Sequence, residues 1–483
     1  MIPTGTRQMG THDHPLDRER LGRAIIVGVG GLFLLVTTPV LIAGAPLADD
    51  FHNCLEPQRQ GLSAFLAESA QRLGAIRPAR FLEIFITNGI CEHLLFGFAI
   101  AIPLVLTLLV AWLLRGLLRD LDVRTPWPEI AAGLWLLQPL GTESSLWPAA
   151  LHVPLGLVLA LGALRLHRAG HHGWGALAAF GAALSAEQTI LALPLAAWMV
   201  TPRGHQRRAL AASMVPVILV LVSFVLWPGE DPRLHASLSE RVASLARDPL
   251  FYIEYPAVGL GVHSIPLGIQ WAFPMSILVV GVCALGGGWI GQRFLQADAR
   301  TQGRSLRALL FGGLALAALA NIPVVLAIPR YGSPRLFAPT WLIFSGILAI
   351  LGSRTALKRW TLVGALAGAV AAGALLSLAL SVQVRLRSAA FSQAASEAIA
   401  RRVPQGADVA VCAVRRTVVE PAPRGAFALH EFVYDWAARD ALEYYTGRKA
   451  TFALAGELWQ RPCPDPSAVD RVVSFTELVQ EVA

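Results

Sequence analysis

The chain alternates long apolar stretches with short polar connectors, and the stretches recur from Ala24 to Leu380. Several can cross a hydrocarbon layer of ~30 Å, which predicts a polytopic helical membrane domain. Hydropathy places spans near 24–45, 93–114, 130–140, 147–164, 174–185, 189–200, 209–227, 267–290, 306–328, 336–351 and 361–382, about eleven crossings. The segments at 130–140 and 174–200 are short or interrupted by Pro139, Glu187 and Pro194, so parity carries more weight than the total.

Two connectors are long and patterned. In 46–92, Leu62, Phe65, Leu66, Leu73 and Ile76 recur near a 3.6-residue period opposite Glu68, Gln71 and Arg72, predicting a helix on the membrane surface. In 228–266, Leu234, Leu238, Val242 and Leu245 repeat the pattern. Beyond Val382 the periodicity changes. Residues 388–401 predict a helix, 408–414 a buried strand, 436–445 a helix closed by Gly447, 450–454 a strand, and 471–479 a strand then a helix. The expected fold is mainly α. It comprises an N-terminal tail (1–23), a transmembrane helical bundle (24–383) and a small C-terminal α/β domain (384–483).

Composition excludes a soluble globular chain. Of 483 residues 55% are hydrophobic and 15% charged, with mean hydropathy +0.55. Basic residues assign sides, because short basic loops stay cytoplasmic. Arg18, Arg20 and Arg23 precede the first span; Arg115, Arg119, Arg124, Arg165, Arg168, Arg203, Arg207 and Arg208 fall on the same side. So do Arg293, Arg300, Arg304, Arg307, Arg354, Lys358 and Arg359. The N-terminus is therefore expected in the cytoplasm, with both long loops and the C-terminal domain outside. The net charge of +8 reads as a topology signal, and no basic-aromatic stripe suggests a nucleic-acid partner. Residues 43–45 look like a signal-peptidase site, but Pro46 disfavours cleavage and the first helix is expected to stay attached. Cys54 and Cys91 bracket the first outer loop, Cys412 and Cys463 share the C-terminal region, and Cys283 is alone in a span. Two external disulfides are open on this distribution, and sequence leaves their connectivity open. Lys358 and Lys449 are the only lysines, a usage that suggests a high-GC bacterium and its plasma membrane.

Asp49 and Asp50 stand immediately beyond the first span, where a carboxylate can be both solvated and membrane-proximal. Adjacent carboxylates repel each other, so such a pair suits proton transfer, cation binding or simple solvation. With His52 it forms a weak candidate site for a divalent metal, short of the ligand number such ions want. Glu187, between two apolar half-spans, and Glu143, in an outer connector, are candidate cavity carboxylates together with His52. His93, His152 and His263, near outer helix ends, read as hydrogen-bonded structural histidines. Residues 445–449 lack the glycine-rich loop of a phosphate cradle.

This layout resembles the GT-C glycosyltransferases. The likeness rests on the acidic pair after the first helix, the helical first outer loop and Glu187 in Leu184-Ser185-Ala186-Glu187-Gln188. The outer turn Pro329-Arg330-Tyr331-Gly332-Ser333-Pro334-Arg335 and the external tail complete it. The resemblance implies transfer of a sugar from a polyprenyl-phosphate donor to an acceptor on the outer face. It makes the carboxylate after the first helix a general base or an acceptor-binding group, and some members require a metal. Chemistry agrees: an acceptor hydroxyl needs a base, here Asp49 or Asp50, while the ionised polyprenyl phosphate leaves without an acid. Arg330, Tyr331 and Arg335 are candidates for the donor phosphate, since guanidinium forks bind phosphate oxygens in pairs. The expected partners are that donor, an envelope glycan or glycolipid acceptor and membrane lipid, with no required cofactor. The alternatives are a secondary transporter, which would need matched internal halves that the sequence lacks, and a non-enzymatic lipid- or glycan-binding assembly subunit.

Overall fold

The computed structural model describes residues 15–44, 46, 49–73, 78–93, 96–137, 145–186, 189–226, 338–354, 360–414, 435–456 and 462–482. It adds short helical pieces at 239, 281–283, 285, 286, 289, 311–313 and 315–320. The chain is mostly helical with a small C-terminal sheet. Among the described residues, four helices are long and apolar enough to cross a membrane: 18–43, 97–120, 206–223 and 367–402.

α1 (Pro15–Ala43) ends where Gly44 takes φ +56°, the left-handed conformation that costs glycine least, and donates its N–H to the Val40 carbonyl at 3.1 Å. The following connector holds three helices, α2 (Asp49–Gln60), α3 (Leu62–Leu73) and α4 (Pro78–His93). The expected surface helix is α3; the acidic pair opens a helix of its own.

α5 (Gly97–Asp120) outruns its expected end because Leu117 and Leu118 are buried and Arg119 pairs with the buried Glu129 at 2.6 Å. Glu129 belongs to α6 (Trp127–Leu136), which at 10 residues is about 15 Å long and covers half a bilayer. After a 3-10 turn (Pro148–Ala150) come α7 (His152–Arg168), α8 (His172–Ser185), α9 (Ala192–Val200) and α10 (Gln206–Leu226). α11 (Ala338–Arg354) and α12 (Trp360–Arg402) complete the apolar part. The expected spans in 130–200 thus form helices of 9 to 17 residues, shorter than the usual crossing length. Most of 267–290 and 306–328 lies outside the described residues.

Phe33, Ile100, Trp135, Leu146 and Leu157 are fully buried in the first apolar core. α1 and α5 meet so closely that a methyl group at Gly97 would lie 2.3 Å from the Leu41 carbonyl oxygen.

α12 has no break at residue 383. It runs on to Arg402, and Phe391, Ala395, Ala398 and Ile399 help build a second core with Val409, Val411, Leu442, Phe475 and Leu478. The expected boundary at 383/384 therefore falls inside one continuous helix. β1 (Asp408–Val414) is the central strand, flanked in parallel by β2 (Thr451–Gly456) and β3 (Arg471–Ser474) in the order β2-β1-β3. Ala410 is the partner of Ala453 on one side and Val472 on the other. A strand paired on both edges is fed by the near-continuous apolar run of 409–414. α13 (Asp435–Thr446) and α14 (Phe475–Val482) cover the sheet. Cys54 is bridged to Cys91 and Cys412 to Cys463, with Cα–Cα separations of 5.7 and 5.4 Å, while Cys283 is free.

Candidate functional site

α2 starts within a few residues of the end of α1, so its first turn lies close to the end of a membrane-length helix. Asp49 and Asp50 occupy that turn, where the positive end of the helix dipole favours anions. Their environments differ. Asp50 is fully buried and accepts a hydrogen bond from the Ala149 amide at 3.2 Å; Asp49 is half-buried. The Cys54–Cys91 bridge, one helical turn beyond Asp50, ties α2 to α4.

Arg80, near the start of α4, lies within the charge field of both aspartates. Its guanidinium donates to Glu83 Oε2 at 3.0 Å and to Asn53 Oδ1 at 3.3 Å. Glu83 is fully buried, and its Oε1 accepts from the His152 backbone amide at 2.9 Å and from His152 Nδ1 at 2.5 Å. Burial pushes the Glu83 carboxyl up, but His152 and Arg80 outweigh it and hold the group below the usual carboxylate range. The 3-10 turn that caps Asp50 leads directly into α7, whose first residue is His152. Asp49, Asp50, Asn53, Arg80, Glu83 and His152 therefore form one braced acidic cluster. Three carboxylates face one guanidinium and one imidazole, an arrangement that favours an arriving proton or cation over an anion.

His52 faces another way. Its Nδ1 lies 3.1 Å from Oδ2 of Asp440, a buried residue of α13. Arg59 reaches Asp440 Oδ1 at 2.8 Å, Glu56 at 2.7 Å and also Glu443; Arg439 reaches Asp440 at 2.9 Å and Glu56 at 3.5 Å. Burial of Asp440 opposes ionisation, but His52, Arg439 and Arg59 together lower its pKa. Phe51 packs edge-on against Tyr444 and Tyr445, with ring centroids 5.2 and 5.5 Å away. Burial raises the Tyr444 phenol, and the nearby Asp50 charge raises it further. The C-terminal unit thus docks on the helix that carries the acidic pair.

Among the described residues, the group with metal-ligand spacing is His52, Glu56 and Asp440, whose donor atoms lie within 4.8 Å of one another. Of the expected weak set Asp49, Asp50 and His52, only His52 belongs to it. Its carboxylates are already paired with Arg59 and Arg439, and a divalent ion would have to displace both guanidinium groups. The donor set fits a salt-bridge network better than a metal centre.

Glu143, Glu187, Arg330, Tyr331 and Arg335 lie outside the described residues, as does nearly all of 228–266. Sequence reasoning overlooked Arg80, Glu83 and Asp440; it expected His152 to be a hydrogen-bonded structural histidine, and His152 is hydrogen-bonded to Glu83. For Glu83 a signal was present: it sits on the same face of α4 as the buried Ala79, Ile84 and Thr87, an acid where the periodicity asks for an apolar residue. Compared with known proteins, the chain matches no protein-family model and no curated protein.

Proposed function

We propose that the chain is a GT-C-type glycosyltransferase of a bacterial plasma membrane. It moves a sugar from a polyprenyl-phosphate donor to an envelope glycan or glycolipid on the outer face, with its N-terminus in the cytoplasm. The observation that carries this reading is Asp49 itself. A half-buried carboxylate stands close to the end of a membrane-length helix, on a helix clamped by a disulfide and by a buried ion network. Such a position suits a group that must meet a lipid-borne donor at the interface and hold one geometry there.

In the proposed reaction the acceptor oxygen attacks the anomeric carbon as the bond to the carrier phosphate breaks. That bond's electron pair leaves with the phosphate, which is already ionised and needs no acid. Asp49 accepts the hydroxyl proton's hydrogen bond and draws the proton away, and one displacement inverts the anomeric carbon. Asp50, buried and bonded to Ala149, serves as a fixed anion that positions the turn. Arg80 is unsuited to the donor phosphate because Asp49, Asp50 and Glu83 already engage its charge. That task stays with Arg330, Tyr331 and Arg335, and Glu143 and Glu187 are proposed to line the cavity. No step requires a metal.

The direct test incubates purified protein in lipid with radiolabelled polyprenyl-phosphate sugars and envelope acceptor fractions. The account predicts a labelled product with inverted anomeric configuration. Absence of transfer from the whole donor panel would overturn it.

A further inference from the structure

The acidic cluster contains a second proton-handling group besides Asp49. Glu83 Oε1 receives both the backbone amide and Nδ1 of His152, while Glu83 Oε2 receives Arg80. A carboxylate with three donors is ionised and can only accept, so the Nδ1 nitrogen of His152 must carry hydrogen. Its neutral tautomer therefore presents the lone pair at Nε2, for which the described residues provide no hydrogen-bond partner. The His152 side chain is 24% exposed whereas Glu83 is fully buried. A buried carboxylate anchoring Nδ1 of a reachable imidazole is how a histidine base is oriented and its protonated form balanced.

We propose that Glu83 and His152 form the proton-accepting dyad of this site, with Nε2 of His152 as the final acceptor of the substrate hydroxyl proton. The inference rests on the glycosyltransferase reading and names a further residue for it. As the acceptor oxygen bonds to the anomeric carbon and the phosphate departs with its electron pair, Asp49 takes the hydroxyl proton and passes it on, so that it ends on Nε2. The resulting imidazolium lies against Glu83. Product release and loss of that proton to solvent restore neutral His152. Imidazole titrates nearer to neutral pH than a free carboxylate, so it matches the demand on a base that must both take and release a proton. Glu83 acts as a positioning residue and does not touch the substrate. The charged group that bonds His152 is Glu83 on α4, which in turn holds Arg80 of the same helix.

The experiment uses the full-length protein in lipid. His152→Ala is expected to lower the transfer rate constant about 100-fold, to leave KM for the donor unchanged, and to recover activity when free imidazole is added. Glu83→Gln is expected to lower the rate and move the acid limb of the pH profile to lower pH, because the imidazolium loses its counter-ion. Diethyl pyrocarbonate labelling read by mass spectrometry supplies a measure independent of turnover. His152 is expected to react at Nε2 in the wild type, more slowly in Glu83→Gln, and to be protected by acceptor. Wild-type activity in His152→Ala would overturn the proposal, as would a loss that imidazole does not rescue with an unmoved pH profile. A wild-type protein that transfers no sugar sinks the glycosyltransferase reading and the dyad's role in it; unreactive His152 sinks the dyad alone.

Discussion

Two aspartates adjacent in sequence occupy different chemical worlds. Asp50 is sealed under the 3-10 turn and Asp49 is half-buried at the rim, a distinction that sequence could not draw because neighbouring helix positions differ only once packing partners are known. The same holds for His152, whose hydrogen-bond partner is a glutamate 69 positions earlier in the chain. Asp440 carries a pH signature. Its folded pKa is lowered, so the stabilisation is fully present above its ordinary value of about 4 and is lost as pH falls through the lower folded value. Acid titration should therefore weaken docking of the C-terminal unit on α2 below about pH 4, and Asp440→Asn should show weakened docking already at neutral pH. Hydrogen exchange of α13 reads both; equal protection in the variant and wild type would remove Asp440 from the latch. His167, beyond the apolar part of α7, is lowered to about 4 by burial and by His172. The sign is the same: stability is present above about 6.5 and is lost toward pH 4. His167→Asn should flatten the fall in thermal stability between those values, measured in detergent.

At the level of elements, the C-terminal strands and helices were legible because each carries a local period and a recognisable end. Gly447, at φ +69°, closes α13 where the sequence asks for a stop. The long apolar helices were less legible. Arg115 and Arg119 hide the last turns of α5 from a hydropathy window, and only the buried Glu129 across the groove explains how they remain helical. The connector between α1 and α5 is tied by the Cys54–Cys91 bridge from α2 to α4, and α1 and α5 themselves meet closely at Gly97. Removing the Cys54–Cys91 bridge with serine at both positions should cost roughly 2–4 kcal/mol and loosen the acidic pair, measured as a lower unfolding midpoint and reduced transfer. Gly97→Ala should cost roughly 1–3 kcal/mol, since its methyl would strike the Leu41 carbonyl. An unchanged melting temperature in that variant would show that α1 and α5 do not pack in this way.

For the whole molecule, α12 is the spine. It leaves the apolar core and continues into the α/β core, so the C-terminal unit is held both by a continuous helix and by the α2–α13 ion network. That double attachment places the acidic pair between the apolar helices and the C-terminal unit. The change of character after Val382 was readable from composition, whereas the helix that runs through it was not, because Val382 to Arg402 changes polarity without leaving the helix. The central claim is that this junction transfers sugar through Asp49. The most direct measurement compares the rate of label transfer from polyprenyl-phosphate sugar by the wild type, Asp49→Asn and Asp50→Asn, each checked for an intact fold. The account predicts that Asp49→Asn loses transfer by about 100-fold or more at unchanged stability, and that Asp50→Asn loses stability as well as rate. Full transfer by both variants would contradict it.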